Sequence, residues 1–437
     1  MGNYIPGILQ EQKEMLQDIG LESFDDLYSV VPEEVRLKEL NLENGKSEWE
    51  VRSLMERMAA KNTVFKDCYR GAGAYRHYIP AAVKNIVSKE EFVTAYTPYQ
   101  AEISQGILQS IFEYQTMMCE LTGMDVSNAS VYDGAVAAAE AVAMCKDRKK
   151  QVAFVSSCVH PQVIETIQTY CFGNGMQVVL IPEKDGRTDL EALQGMLKED
   201  SACVLIQHPN YYGNLEHADD FAEAAHAFKA KLIMSVNPVS CAVLKTPKEY
   251  GADIAVGEGQ PLGLSLAFGG PYLGFMCATE AMMRKLPGRI VGETTDDQGR
   301  RAFVLTLQAR EQHIRREKAS SNICSNEAHC ALTAGVYLAV MGKTGLCRCA
   351  ELSHSKAVYL KEQLRQIGFE PVHDGPFFHE FVTQCPCDVE DVLALLQKNN
   401  ILGGLPLDGN RILWCTTELN TKEGMDAMIQ LLKEGCA

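Results

Sequence analysis

Short apolar runs alternate with helical stretches between about residues 104 and 285, and this alternation limits the fold more than any other feature. Helical stretches such as 190–197 and 218–228 lie between runs of strand length at 152–155, 178–181, 203–206, 232–236 and 253–256. Strands that are apolar throughout are buried on both faces, and intervening helices join such strands in parallel. The sequence therefore predicts an α/β fold with a large, mostly parallel sheet.

The chain divides into three predicted parts. Residues 1–62 are predicted to form a helical arm, in which Ser47 and Glu50 have the spacing of a capping box that opens a helix. Residues 63–320 contain the alternating pattern and are predicted to form a large α/β domain. Residues 321–437 begin with long helical stretches predicted at 326–341 and 347–366 and end in a smaller α/β domain whose first strand is predicted at 377–382. An arm of this kind either wraps a neighbouring subunit or covers its own domain, and the sequence leaves both open.

Composition and charge exclude several classes of partner. The 437 residues include 41 Lys and Arg against 57 Asp and Glu, a formal net charge of −16, so nucleic acid is not expected as a partner. No uncharged apolar run reaches roughly 18 residues, so no membrane span is expected. The 16 cysteines include no Cys-x-x-Cys pair, and no hydrophobic signal segment follows Met1, which favours reduced thiols and a cytoplasmic location. Histidine and cysteine do not occur at zinc spacing, so no metal site is expected.

Six irregular motifs carry the most specific information. In chain order they are YRGAGAYRHYIP at 69–80, YTPYQAEISQG at 96–106, NPVS at 237–240, GEGQPLG at 257–263, FGGPYLG at 268–274 and REQHIRREKASSNIC at 310–324. Together and in this order, they resemble the glycine decarboxylase P-protein family, specifically the alpha subunit of its two-subunit bacterial form. The resemblance covers nearly the whole chain, including the arm.

This resemblance implies a fold, a reaction and a set of partners. The fold would be that of type I pyridoxal-phosphate enzymes, with a large mostly parallel-sheet domain, a smaller C-terminal α/β domain and a helical N-terminal arm. A beta subunit would bind the pyridoxal phosphate, in an αβ pair that doubles to α2β2. The implied reaction takes glycine, releases its carboxyl group as CO2 and passes the aminomethyl group to the lipoyl arm of H-protein.

The region expected to hold the cofactor departs from what a pyridoxal enzyme needs. Such an enzyme forms a Schiff base through a lysine, placed after the strand that follows the ring-nitrogen acid. Gln260 stands in that region, and no lysine occurs between Lys248 and Lys285. The strand predicted at 232–236 is followed by Asn237, a neutral amide that does not stabilise a pyridinium charge as a carboxylate does.

The predicted phosphate position also carries an acid. A helix is predicted to begin near residue 133, and helix N-termini bind anions. Asp133 would cap this terminus and repel a dianion, although the N–H groups of Gly134 and Ala135 remain. The three departures predict that this chain has no catalytic residue of its own and that pyridoxal phosphate binds the beta partner.

Hydrogen-bonding side chains crowd a loop in front of the helix predicted to begin near Ser104. That serine is predicted to cap the helix. The other side chains either pack locally or line the partner's pocket, and the sequence leaves both open. The residues of this candidate substrate pocket are Tyr96, Tyr99, Gln100, Glu102, Ser104 and Gln105.

Two other functions remain open from the sequence. One is a self-sufficient pyridoxal-phosphate enzyme acting on an amino acid, with Lys245 or Lys318 as the Schiff-base residue, although both are predicted to be ordinary surface side chains. The other is a non-catalytic binding or regulatory module on the same fold. The favoured hypothesis is a P-protein subunit that completes its partner's active site.

Overall fold

The computed structural model describes residues 7–37 and 39–436. They fall into two compact units, the first ending at Thr63 and the second beginning at Val64. The division predicted after residue 62 differs from this boundary by one residue. The further division predicted after residue 320 stays a prediction.

The first unit is helical and has little interior. It contains α1 (Leu9–Asp18) and α2 (Glu48–Ala59), with 3-10 helices at Phe24–Tyr28 and Glu33–Val35 between them. The predicted capping box is confirmed, because the Glu50 N–H donates to Ser47 Oγ at 3.3 Å and the Ser47 N–H donates to Glu50 Oε2 at 2.8 Å. Among the described residues of this unit, Leu16 is the only buried hydrophobic side chain.

The strands belong to the second unit. In chain order they are β1 (Asp67–Cys68), β2 (Val126–Ser127), β3 (Val152–Ser156), β4 (Gln177–Ile181), β5 (Glu183–Lys184), β6 (Arg187–Thr188), β7 (Ser201–His208), β8 (Lys231–Val236), β9 (Ile254–Glu258), β10 (Gly274–Ala278), β11 (Ile290–Thr295), β12 (Arg301–Thr306), β13 (Glu370–Pro371), β14 (Glu380–Gln384), β15 (Ile401–Leu402), β16 (Leu405–Leu407) and β17 (Arg411–Cys415).

Helices of the second unit connect and cover these strands. In chain order they are α3 (Ala81–Val87), α4 (Glu90–Val93), α5 (Gln105–Thr122), α6 (Gly134–Cys145), α7 (Pro161–Asn174), α8 (Leu190–Met196), α9 (Ala218–Ala227), α10 (Gln312–Arg315), α11 (Ala328–Gln366), α12 (Val389–Lys398) and α13 (Lys422–Gly435). Shorter 3-10 turns lie at Ala101–Ile103, Ser240–Ala242, Glu280–Lys285, Gln308–Arg310 and Arg316–Lys318.

A seven-stranded sheet forms the centre of the second unit, in the order β2-β10-β9-β8-β7-β3-β4. The pairs β3–β4, β3–β7, β7–β8 and β8–β9 are parallel, whereas β10 runs antiparallel to both β9 and β2. The predicted α/β fold with a mostly parallel sheet is therefore confirmed.

Both faces of this sheet are covered by helices, and β8 shows how. Leu232 and Met234 belong to the hydrophobic cluster that contains Phe221 of α9, whereas Ile233 belongs to the cluster that contains Ile167 of α7. Successive side chains of a strand point to opposite faces, so a strand between two helical layers is apolar at every position. This burial produces the uninterrupted apolar runs in the sequence.

Small residues bring α6 close to the end of β9. Ala137, Ala138 and Ala141 of this helix are fully buried against the sheet. At Gly134, the first residue of α6, a Cβ atom would lie 2.8 Å from the backbone nitrogen of Glu258. Only glycine allows this approach, which places the first turn of the helix directly against the carboxyl end of the strand.

A second sheet, in the antiparallel order β13-β14-β17-β16, lies in the C-terminal part of this unit. The strand predicted at 377–382 instead forms β14 at Glu380–Gln384. The Phe378 N–H donates to the carbonyl of Gly213 at 3.1 Å, and the Leu215 N–H donates to the carbonyl of Pro376 at 2.9 Å. Residues 376–378 are thus bonded to a loop of the large sheet, which delays the start of the strand.

Helix α11 merges two predicted helices into one element that leaves helical geometry at Gly342, where φ is 59° and ψ is −179°. Among the described helices, it is the one whose length and composition would suffice to cross a membrane. Its residues Cys330, Ala334 and Tyr337 are buried in the same cluster as the central strands. These are the contacts of a core helix.

Candidate functional site

A cavity of about 290 Å³ lies at the carboxyl ends of the central strands. Ligands of open α/β sheets bind at this edge, where the first turns of the following helices also converge. Strands β7, β8 and β9, the starts of α6 and α7, and the motif at 69–80 all contribute. The lining residues are Ala72, Gly73, Ala74, Tyr75, Asp133, Gly134, Ala135, His160, Gln162, Val163, Gln207, Pro209, Ser235, Val236, Asn237, Glu258, Tyr272, His379 and Glu380.

Asn237 lies directly after β8 and lines this cavity. Its Oδ1 accepts a hydrogen bond from the Val239 N–H at 2.9 Å, and its Nδ2 lies 3.2 Å from Nε2 of His379. Burial lowers the pKa of His379 to about 3, so this imidazole is neutral and its Nε2 can accept from the amide. The Asn237 amide is therefore bonded within a turn and to a neutral imidazole, and it supplies no negative charge.

Gln260 is fully buried and acts as a structural bridge rather than as part of the cavity wall. Its Oε1 accepts from the Tyr75 N–H at 2.7 Å, and its Nε2 donates to the carbonyls of Tyr75 at 2.9 Å and Leu264 at 2.8 Å. These bonds tie the motif at 69–80 to the loop after β9. The side chain that stands in the expected lysine region therefore holds two motifs together.

Two acids occupy the N-terminus of α6. The Val136 N–H donates to Asp133 Oδ1 at 2.7 Å, which confirms Asp133 as the helix cap. The Gly134 N–H donates to Oε2 of Glu258 at 3.0 Å. Oε1 of the same carboxyl group accepts from the N–H groups of Gln260 and Leu273, each at 2.9 Å. Burial raises the pKa of Glu258 to about 7, and the three N–H bonds oppose this rise.

A second buried acid, Glu380 at the start of β14, also lines the cavity. Its Oε1 accepts from the Ala72 N–H at 2.6 Å, and its Oε2 accepts from the Tyr75 hydroxyl at 2.8 Å. Burial raises the pKa of this carboxyl to about 7. His160, at the start of α7, lines the cavity too, and its Nε2 lies 3.0 Å from the carbonyl of Ala72.

The residues present do not fit pyridoxal phosphate. Within the described chain, the residues that line the cavity include neither lysine nor arginine, so no Schiff base can form there and no cation can balance a phosphate. Lys245 is exposed and its Nζ lies 3.2 Å from Oδ2 of Asp219, while Lys318 is exposed in a 3-10 turn. Neither lysine lines the cavity.

The predicted loop at 96–105 lies outside this cavity, and its tyrosines are open to solvent. Tyr96 is 85% exposed and Tyr99 is 61% exposed. Gln100 and Glu102 are also exposed. The Tyr99 hydroxyl accepts from Nη2 of Arg289 at 3.2 Å, and the guanidinium carbon lies 5.4 Å from the centre of the Tyr99 ring.

Arg289 itself is a group that the sequence did not single out. It is only 5% exposed, and its Nε has no hydrogen-bond partner in the part of the chain that the structure describes. A buried guanidinium with an unused donor is costly unless an anion or acceptor meets it. The loop at 96–105 therefore lies beside a guanidinium whose Nε can donate a hydrogen bond to an anion or another acceptor.

Gln105 has a structural role, whereas Ser104 does not have the one predicted for it. Ser104 is the residue that precedes α5, but its side chain makes no capping hydrogen bond, so the predicted cap is wrong. Its φ of −124° and ψ of 21° differ from the extended backbone usual at a cap. The Gln105 amide donates to the carbonyl of Phe303 at 2.9 Å and accepts from its N–H at 2.8 Å, which fixes β12 against α5.

His77, Cys349 and Glu418 form a buried cluster that sequence spacing could not reveal, since the three lie far apart in the chain. Their ligand-type atoms lie within 4.8 Å of one another. His77 Nδ1 lies 2.7 Å from Glu418 Oε2, and the Cys349 thiol donates to the same oxygen at 3.1 Å. Burial raises the pKa of Glu418, but the His77 bond and charge outweigh it and bring the pKa down to about 2. Oε2 of Glu418 thus binds both the imidazole and the thiol, while Nε2 of His77 has no hydrogen-bond partner among the described residues.

Comparison with known proteins identifies the family. A family model described as "Glycine cleavage system P-protein" matches residues 2–432. A protein of Carboxydothermus hydrogenoformans described as "Probable glycine dehydrogenase (decarboxylating) subunit 1" is 49% identical over 98% of this chain and 99% of its own length. A protein of Anoxybacillus flavithermus with the same description is 47% identical over 98% of both chains.

Solved structures agree with the sequence comparison. A crystal structure of glycine decarboxylase (P-protein) of the glycine cleavage system, in inhibitor-bound form, is 41% identical over 99% of this chain and 100% of that one, with a TM-score of 0.92. Sphingosine-1-phosphate lyase of Burkholderia pseudomallei is 12% identical over 93% and 94% of the two chains, with a TM-score of 0.68, which shows the fold alone. The fold is that of type I pyridoxal-phosphate enzymes, as the motifs implied. From its sequence and its structure, this chain belongs to the glycine cleavage system P-protein family.

Proposed function

We propose that this chain is the first of two unlike subunits of a glycine dehydrogenase (decarboxylating), and that the second subunit binds pyridoxal phosphate. The relatives described as subunit 1 match the chain along nearly its whole length, which supports a partner subunit. The observation that carries the proposal is the cavity at the end of the sheet, which lacks a lysine and holds carboxyl groups instead. A chain with this fold and this cavity needs another chain to supply the cofactor.

The proposed reaction is the decarboxylation of glycine followed by transfer of the aminomethyl group to the lipoyl arm of H-protein. When bound by the partner, pyridoxal phosphate supplies the electron sink for loss of CO2. This chain would complete the walls of that site and of the channel for the lipoyl arm. Closure of the site excludes water, which would otherwise protonate the electron-rich carbon left after CO2 departs.

The loop at 96–105 is the part of this chain that we assign to the partner's site. Large apolar side chains are exposed on it and just before it, namely Val93, Tyr96, Tyr99 and Ile103. Exposed groups of this kind on one short segment mark a surface that another molecule covers. The tyrosine hydroxyls and the adjacent guanidinium of Arg289 are suited to orient a carboxylate such as that of glycine.

The helical arm supplies a second surface for the partner. Helix α2 exposes Val51, Leu54, Met55 and Met58, whose spacing of three, four and seven residues puts them on one face. Because none of the described residues of α2 is buried, this face gains free energy when another chain covers it. We propose that it contributes to an αβ pair that doubles to α2β2. In the described chain the cysteines are free thiols, which supports a reducing, cytoplasmic location.

Reconstitution tests this function. The purified chain and the second subunit would be assayed for glycine–bicarbonate exchange separately, as a mixture, and with lipoylated H-protein. We expect no exchange from this chain by itself, little from the second subunit, and full activity from the mixture. Exchange by this chain without a partner would favour a self-sufficient enzyme, and a mixture no more active than the second subunit would favour a binding module.

A further inference from the structure

The cavity at the end of the sheet keeps the backbone geometry of an anion site while the chain itself fills that site. Three backbone N–H groups, from Gly134, Gln260 and Leu273, donate to one carboxyl group at distances of 3.0, 2.9 and 2.9 Å. They come from the first turn of α6 and from the two ends of the loop that joins β9 to β10. Convergent backbone N–H groups at a helix N-terminus are the usual receptor for a phosphate or carboxylate.

We propose that Glu258 is an internal anion that occupies the phosphate position of the cavity and excludes phosphate-bearing ligands from it. The carboxylate lines the cavity, so a solvent anion of similar size could reach the same N–H groups only by displacing it. The inference concerns this chain by itself, and it holds or fails independently of the proposed pairing with a second subunit.

The negative charge of the lining residues makes this exclusion selective against anions. Asp133 caps α6 and also lines the cavity, and Glu380 lines it as well. With three acids and, among the described lining residues, no lysine or arginine, an incoming dianion would meet only repulsion. A small neutral ligand meets no such barrier.

The backbone fit is tight enough to keep Glu258 in place. A Cβ atom at Gly134 would lie 2.8 Å from the nitrogen of Glu258, and at Gly259 it would lie 2.7 Å from Cδ2 of Leu273. Contacts that do not involve the carboxylate therefore hold the end of β9, the loop after it and the start of α6 close together. Removing the carboxylate should leave the three N–H groups converging on an empty space rather than collapse them.

Chemical rescue of Glu258→Ala tests the proposal. Melting temperatures would be measured at pH 8, where the wild-type carboxyl is mainly ionised, in chloride, formate or inorganic phosphate at equal ionic strength. We expect formate and phosphate to raise the melting temperature of the variant above its value in chloride by about 2 °C or more, because they bind the freed N–H groups. Equilibrium dialysis would show pyridoxal phosphate binding non-covalently to the variant and not to the wild type.

Asp388→Ala is the matched control, since Asp388 caps α12 through the Glu390 N–H at 2.8 Å but lines none of the cavity. This variant should lose stability without rescue by any anion beyond the wild-type response. Equal rescue of both variants, or no rescue of folded Glu258→Ala, would overturn the proposal.

Two further measurements decide the matter if Glu258→Ala does not fold. Wild-type protein should show the same melting temperature in phosphate as in chloride, and stabilisation by phosphate would contradict an occupied site. Glu258→Gln keeps the volume but its amide cannot accept all three N–H bonds, so it should melt below wild type at pH 8. If the Glu258→Gln protein is as stable as wild type at pH 8, then the negative charge of Glu258 does not stabilise these N–H groups, and the proposal is wrong.

Discussion

The cavity at the end of the sheet and the loop at 96–105 use their polar groups in opposite ways. In the cavity, Glu258 and Glu380 have both oxygens bonded to groups of the same chain. On the loop, Tyr96 is 85% exposed and Tyr99 rests on Arg289, whose Nε has no partner among the described residues. A chain can therefore keep this fold without keeping a cofactor site. The carboxyl groups of the cavity are bonded within the chain, whereas the tyrosines of the loop are exposed.

The largest expected effect concerns the surface by which the arm would meet the partner. Met55→Asp places a charge on the exposed apolar face of α2, and burying that charge in an interface is costly. We expect the dissociation constant of the αβ pair to rise about 30-fold, equivalent to about 2 kcal/mol. Sedimentation of mixtures at micromolar concentration measures it.

Ser53→Asp is the control for that variant, since residue 53 lies on the side of α2 away from Val51 and Met55. It should leave assembly close to wild type. If Met55→Asp assembles as tightly as Ser53→Asp, then the arm is not part of the interface, and the loop at 96–105 is left as the only proposed contact.

The next largest effect separates a site role of the loop from a packing role. Loss of a hydroxyl that only packs costs roughly 0.5–1.5 kcal/mol of stability and should leave the activity of the complex unchanged. Misplacing a reacting group by about an ångström can cost on the order of a hundredfold in rate. We expect at least one of Tyr96→Phe and Tyr99→Phe to lower glycine–bicarbonate exchange about tenfold or more, or about 1.4 kcal/mol in the barrier, with assembly and cofactor content unchanged.

Tyr170→Phe serves as the control, because Tyr170 of α7 is half-buried against the core cluster and belongs to neither region. Exchange and melting temperature would be measured together for the three variants. If both loop variants show wild-type exchange in assembled complexes, then the tyrosine hydroxyls only pack and have no role in the partner's site.

The smallest effect is expected in the cavity and depends on pH. The pKa of Glu380 is raised from 4.5 in the unfolded chain to about 7 in the fold, so the folded state holds more protons between these values. Its contribution to stability is full below about pH 4.5 and is lost as the pH rises through about 7. Glu380→Gln imitates the protonated carboxyl and should remove this loss.

Urea unfolding at pH 5.5 and pH 7.5 measures that contribution. The wild type should lose on the order of 1 kcal/mol more than Glu380→Gln over this interval. Tyr96→Phe, which changes the loop and not the cavity, should follow the wild type. Parallel pH dependence in wild type and Glu380→Gln would mean that the carboxyl is ionised in the fold throughout this range.

Much of the fold was predictable because a strand that is buried on both faces leaves a continuous apolar run in the sequence. The continuous apolar runs at β7 and β8 and the cap at Asp133 follow from local rules of periodicity and helix termini. The strand predicted at 377–382 was displaced because backbone bonds to residues 213–215 are long-range, and no local pattern encodes them.

The site was predictable only where the sequence lacks a residue that a pyridoxal enzyme requires. The absence of a lysine near Gln260 was visible in the sequence, and Asn237 was found at the cavity. Glu258 lies in the motif at 257–263, but an acid after a strand gives no sign that N–H groups 15 and 124 residues away converge on it together with that of Gln260. Arg289 and Glu380 gave no signal, because burial of a charge next to a loop or a cavity is a property of the assembled fold.

Borohydride trapping of the assembled complex shows directly which of the two subunits carries the cofactor. The complex would be loaded with pyridoxal phosphate, reduced with borohydride and digested, and the pyridoxyl-lysine peptides would be mapped by mass spectrometry. Our prediction is one modified lysine in the second subunit and none in this chain. A pyridoxyl-lysine in this chain, at Lys245, Lys318 or any other position, would contradict it.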